Sequence, residues 1–276
     1  MPSKSAPDGL GRFVVVFFSV VVVAAGASGA ALIAAPGSTQ RYFSWTLRPP
    51  AAAALIGGFY LASAAVFGWA LTLPWRQARS LVVGVLGLAA PTLVMTMIHD
   101  EVFDFGRWQA LLWVGLFVTA PVTATVLLSI KRVGGTQGPA LDAGSRAGLG
   151  LLAAVLAVVA VLVWLDATRD DVARIGPVDL VRLTGTYIGA WCSFLAVLCG
   201  SAATRGTWDA ARVPLLTVAA AAGGALIAFV RSWSDLRRPV LALSVTFILL
   251  VGALLAYRRN RPASSPYPDG TDPPAS

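Results

Sequence analysis

The densest group of reactive side chains in the sequence is His99-Asp100-Glu101-Val102-Phe103-Asp104. An imidazole beside carboxylates has the chemistry to hold a divalent cation or to pass protons as an acid/base pair. Against that reading, His99 is the only histidine, and its acidic neighbours are consecutive rather than spaced to converge on one ion. The plainer reading makes His99, Asp100, Glu101 and Asp104 a hydrated loop, with Phe103, Phe105 and Trp108 anchoring a membrane interface. Cys192 and Cys199 are the only thiols. On a helix, seven residues of rise separate them by roughly 10 Å, beyond disulfide reach, so they read as small packing residues. There is no phosphate-binding loop, Ser-His-Asp constellation, zinc spacing or haem-ligand set. No cofactor and no catalytic residue is expected, and an enzyme would have to rest on the acidic loop alone.

The elements that position these residues follow from composition. Hydrophobic residues make up 57% of the chain and charged ones 12%, and mean hydropathy is +0.75; soluble domains carry about one-quarter charged residues. The chain therefore reads as an all-α, polytopic membrane helix bundle in contact with the lipid bilayer. The net charge of +8 lies between apolar runs, where it sets topology, so no nucleic-acid partner is expected. A membrane-spanning helix needs about 20 apolar residues. Eight stretches meet or approach that length: Phe13 to Ala35, Ala51 to Leu73, Leu81 to Ile98, Trp108 to Ile130, Ala147 to Leu165, Leu183 to Thr204, Val213 to Val230 and Val240 to Tyr257. The first follows Lys4 and Arg12 as a signal peptide would, but it is longer than a usual signal core and is read as a retained helix.

The eight runs divide into two similar sets. Ile56-Gly57-Gly58-Phe59 matches Ile188-Gly189-Ala190-Trp191, and Trp75-Arg76-Gln77-Ala78-Arg79 matches Trp208-Asp209-Ala210-Ala211-Arg212, about 132 residues apart in both cases. Four spans per unit make the repeat parallel, since an inverted repeat needs an odd number. The implied organisation is an N-terminal tail (1–12), a first four-helix repeat (13–130), a linker (131–146), a second repeat (147–257) and a proline-rich, disordered tail (258–276). Arginines and lysines gather on the side of the two termini, including Arg76, Arg79, Lys131, Arg132, Arg205 and Arg212. The positive-inside rule then puts both termini in the cytoplasm of a cell with this protein in its inner (plasma) membrane.

No ionisable residue falls near the centre of a span, which argues against a proton-coupled pump. Helix breakers recur at similar depths instead: Pro91 and Pro121 in the first repeat, Gly224 and Gly252 in the second. Such paired interruptions can mark a midplane site where backbone groups face a substrate, or they can serve close helix packing. Ala53 and Gly57, with Gly185, Gly189 and Ser193, form small-residue faces suited to close helix contact. Hydroxyls such as Thr92, Thr96, Thr184, Thr186 and Tyr187 read as bonding to the preceding turn.

Each half thus carries a loop with Trp45-Thr46-Leu47-Arg48-Pro49 or Gly176-Pro177, a Gly-x-aromatic step, and Trp-x-x-Ala-Arg; the first adds the His99 loop before Trp108 and Trp113. Over most of its length outside the tails the chain resembles uncharacterised multi-pass membrane proteins of actinobacterial type, a resemblance that implies no activity. The second half departs from the first, with Arg231-Ser232-Trp233-Ser234-Asp235 in place of the acidic loop. Three functions fit: transport or permeation of a small solute, a non-catalytic structural or partner-binding subunit, alone or as an oligomer, and a membrane enzyme using the loop carboxylates. A wet cavity near Pro91 and Gly224 would favour the first, a dry and tight seam the second.

Overall fold

A computed structural model of the chain describes residues 10–130, 138–169, 172–173, 180–236 and 238–260. The tail expected to be disordered is described only as far as Asn260, and residues 1–9 and 131–137 of the N-terminal tail and linker also lie outside the described residues. An apolar run in lipid must satisfy its backbone internally, and each of the eight does so as a helix. They are α1 (Arg12–Ala34), α2 (Pro50–Ala70), α3 (Trp75–Ile98), α4 (Trp108–Ile130), α5 (Ala143–Arg169), α6 (Arg182–Arg205), α7 (Trp208–Arg231) and α8 (Pro239–Asn260). The protein is all-α, with eight helices long and apolar enough to cross a membrane.

The helix ends differ from the hydropathy bounds for physical reasons. α3 and α7 begin at Trp75 and Trp208, a turn or more before their apolar runs, because a helix continues through charged residues at the interface although a hydropathy window stops there. α2 ends at Ala70 rather than Leu73; Pro74 disfavours helical backbone at the residue before it. α5 starts at Ala143, ahead of Ala147, where the Asp142 carboxylate accepts from the Ser145 N–H at 3.0 Å and the Ser145 hydroxyl at 2.6 Å. The loop before α6 contains a short antiparallel pair, β1 (Val172–Ala173) with β2 (Leu180–Val181).

α2, α3, α6 and α7 form the inner layer, and α1, α4, α5 and α8 present most of their apolar surface outward. α1 packs along α2, α5 along α6, α4 on α3 and α8 on α7. The inner helices interleave: α2 packs mainly on α7 and α3 on α6, whereas α2 barely touches α3. Small residues set these approaches. At the α2–α7 crossing, the Gly58 and Gly224 backbones meet so closely that a Cβ on either would overlap the other's carbonyl. A Cβ on Gly57 would lie 2.9 Å from the Leu32 Cβ of α1, and Gly189 accepts the Trp164 indole of α5 against its Cα.

The predicted breakers interrupt nothing: Pro91, Pro121, Gly224 and Gly252 all lie inside continuous helices. Pro91 is half-buried in an apolar groove shared with α5 and α6, and Gly252 is exposed on α8 with open space around it.

Candidate functional site

The acidic loop is built around the end of α3. His99 caps that helix, its N–H donating to the Met95 carbonyl at 3.1 Å, and its ring is buried at 2% exposure. Burial and the positive charge of Arg182 hold the imidazole pKa below its ordinary value, with Glu101, 3.8 Å from Nδ1, pulling weakly the other way. His99 is therefore an enclosed ring whose surroundings favour the neutral form. Asp100, Glu101 and Asp104 point into solvent, and Asp104 is engaged locally, accepting the Gly106 N–H at 3.1 Å. Among the described residues no three His, Cys, Asp or Glu side chains are placed to hold a metal ion. Of the sequence-predicted residues, Glu101 comes within 3.8 Å of His99, while Asp100 and Asp104 are exposed.

Beside this loop the fold assembles something the sequence reading missed. The segment between α1 and α2 folds back over the bundle: a 3-10 turn at Pro36–Arg41, then Tyr42, whose hydroxyl donates to the Ala31 and Ala35 carbonyls at 3.0 and 2.7 Å. Trp45 follows, buried at 2%, with its ring centroid 4.8 Å from Trp113, 5.5 Å from Phe103 and 5.7 Å from Tyr187. These edge-to-face contacts make a plug over the inner helices. Its few polar atoms are paired: Trp113 Nε1 donates to Thr96 Oγ1 at 3.1 Å, and the Tyr60 and Tyr187 hydroxyls bond each other at 2.7 Å across α2 and α6.

Beneath the plug, between α1 and α4, lies a cavity of about 240 Å³. Phe17, Val21 and Ala24 of α1 face Trp113, Leu116 and Phe117 of α4, and the floor comes from Tyr60, Phe67, Leu88 and Trp191. Val20, Trp108 and Leu112 on its rim are strongly exposed, so the cavity opens sideways, toward the lipid-facing surface. Its polar groups are sparse. Ser44 and Gln109 stand near the loop end, where Ser44 Oγ donates to the Gln109 carbonyl at 3.0 Å and Gln109 Nε2 to the Arg41 carbonyl at 3.2 Å; Ser28 and Ser63 sit deeper. The signal available in the sequence was the pair Trp113 and Phe117, four residues apart and so on one face of α4.

At the opposite end of the bundle, α3 and α7 bring the two Trp-x-x-Ala-Arg stretches together. Arg76 Nε lies 3.3 Å from Asp209 Oδ2, Gln77 Nε2 donates to Asp209 Oδ1 at 2.9 Å, and Arg212 Nη1 donates to Gln77 Oε1 at 3.3 Å while its guanidinium stacks 5.0 Å from the Trp69 ring centroid.

No protein-family model, curated protein or solved structure matches the chain.

Proposed function

We propose that the protein is a non-catalytic membrane binding scaffold that holds the hydrocarbon chain of a bilayer lipid in the α1–α4 cleft. The observation that carries this reading is where the free space lies. The inner seam at Gly58 and Gly224 is backbone against backbone, whereas the cavity opens sideways between two lipid-facing helices and is walled by aromatic and aliphatic side chains. Ser44 and Gln109 stand at the loop end, the depth of a headgroup, and apart from Ser28, Ser63 and the Tyr60 hydroxyl the deeper wall is apolar, the depth of a chain. Passage of a small solute, the natural activity of a duplicated bundle, has less support, since it requires a route through that seam. An enzyme using the loop carboxylates has less still, because those groups diverge.

The parallel duplication belongs to this proposal and has independent support. With the spacing of about 132 residues, Phe59 corresponds to Trp191 and Arg76 to Asp209. In both pairs the equivalents meet, the rings 5.4 Å apart and the ion pair at 3.3 Å, which fits residues lying beside a two-fold axis along the membrane normal. The packing of α2 on α7 and α3 on α6 follows the same operator. The arginine-rich end carries both termini, which supports a cytoplasmic assignment in an inner membrane; a C-terminal reporter active only outside the cytoplasm should stay silent.

The cleft is tested by photo-crosslinking the full chain in bilayers with a lipid bearing a diazirine in its acyl chain. Labelling should map to α1 and α4 around Ala24 and Leu116, and Ala24→Trp, which fills the space, should reduce it several-fold. Labelling spread evenly over all outer helices and indifferent to Ala24→Trp would sink the binding reading.

A further inference from the structure

Among the described residues, the cluster of Arg76, Arg79, Arg205 and Arg212 holds more positive charge than Asp209 neutralises. Arg76 and Arg79 occupy the first turns of α3, a helix with no acidic residue in its first turn and no side-chain N-cap. A helix N-terminus already carries a positive partial charge, so cations there are unfavourable unless an anion lies close. Arg212 stands one turn into α7, which also lacks a side-chain N-cap, and Arg205 stands in the last turn of α6, near enough for the charge of Arg79 to act on it. Among the described residues the carboxylate that faces this cluster is Asp209, already engaged by Arg76 and Gln77. Arg79 has no hydrogen-bond or carboxylate partner among the described residues, and the Nε atoms of Arg79 and Arg212 are buried and unpartnered. Unpaired buried donors of this kind call for an explanation.

We propose that this cluster is a binding site for the phosphate of an anionic phospholipid. The chemistry fits: planar guanidiniums match phosphate oxygens with paired N–H donors, and two uncapped helix N-termini add to the field. The position selects the source. All four arginines lie at the ends of membrane-spanning helices, the depth of a headgroup, and basic pockets between helices at that depth take anionic lipids. Asp209 fixes Arg76, and Gln77 with Trp69 fixes Arg212, so the cluster is oriented before the lipid arrives. The site is remote from the α1–α4 cleft and independent of it.

The test uses the full chain in nanodiscs of phosphatidylcholine doped with phosphatidylglycerol, with retained lipid quantified after extraction into detergent. The wild type should keep phosphatidylglycerol preferentially, and each of Arg79→Gln and Arg212→Gln should weaken retention about fivefold. Arg79→Lys should recover part of the loss, and Arg258→Gln, an exposed arginine at the same end of α8, should change nothing. Inorganic phosphate alone should not displace the lipid. Equal retention in the Arg79→Gln, Arg258→Gln and wild-type proteins would overturn the proposal, leaving these arginines to set topology only. Full displacement by inorganic phosphate would overturn the lipid assignment. Should Arg79→Gln fail to elute as a single folded species, the wild type decides alone: retention unchanged by high salt refutes a site held by charge.

Discussion

Gly58→Ala is the most direct probe of the closed seam. A Cβ at position 58 would lie 2.6 Å from the Gly224 carbonyl carbon and 3.2 Å from its Cα, where ordinary contact begins at 3.4 Å. The atoms it meets are backbone, the carbonyl oxygen nearest of all, so no rotamer change relieves the overlap, and α2 and α7 must part by about 1 Å, losing the dispersion contacts along the crossing. Overpacking costs about 1–3 kcal/mol, and a backbone obstacle puts this case near the upper value. Alanine's helix advantage over glycine returns about 1 kcal/mol. The net loss is about 2 kcal/mol, or roughly thirtyfold in the folding equilibrium. Gly223→Ala, the next residue of α7, is the matched control: nothing lies within 4 Å of its added methyl, so propensity alone acts and the variant should be up to about 1 kcal/mol more stable. Equilibrium unfolding of detergent-solubilised protein in mixed micelles, followed by tryptophan fluorescence, measures both. If Gly58→Ala proves as stable as Gly223→Ala, the seam is open enough to admit a methyl, and the argument against a central path fails.

Two further predictions concern the plugged end. Tyr60→Phe and Tyr187→Phe should each cost about 1–2 kcal/mol by stranding the other hydroxyl, and the double variant less than the sum; additive losses in a thermal-melt cycle would contradict their 2.7 Å bond. Because burial lowers the His99 pKa in the folded state, the unfolded chain binds the proton more readily. The stability His99 contributes is then fully present above its unfolded value of about 6.5 and is lost as pH falls through the folded value. His99→Gln should flatten the melting temperature between about pH 7.5 and about pH 5, the window in which histidine titrates.

What the sequence could reveal follows from the range of each interaction. Eight spans were legible because apolar length is a local property, and Gly57 and Gly189 were legible as contact residues because small side chains at four-residue spacing have few other uses in a membrane helix. Pro91 and Pro121 left two readings open in the sequence because a proline inside a membrane helix does not oblige the backbone to open. The charge that acts on His99 comes in part from Arg182, a partner far away in the chain. The α1–α4 cleft was illegible for the same reason, since its walls come from helices that neither adjoin in sequence nor share a motif.

The interleaving of the inner helices bears on how the protein is made. α2 emerges from the ribosome early beside α1, yet its main partner in the inner layer, α7, is synthesised more than a hundred residues later, and α3 must likewise await α6. During that interval the Gly58 backbone has no neighbour but lipid, and the leading half is a loose pair of helical hairpins, α1 with α2 and α3 with α4. Final assembly is thus a late docking of two pre-inserted halves. Residues 1–130 and 138–276, which keeps the Asp142 cap of α5, should associate when produced as separate polypeptides in one membrane, and failure to co-purify would contradict this order of assembly.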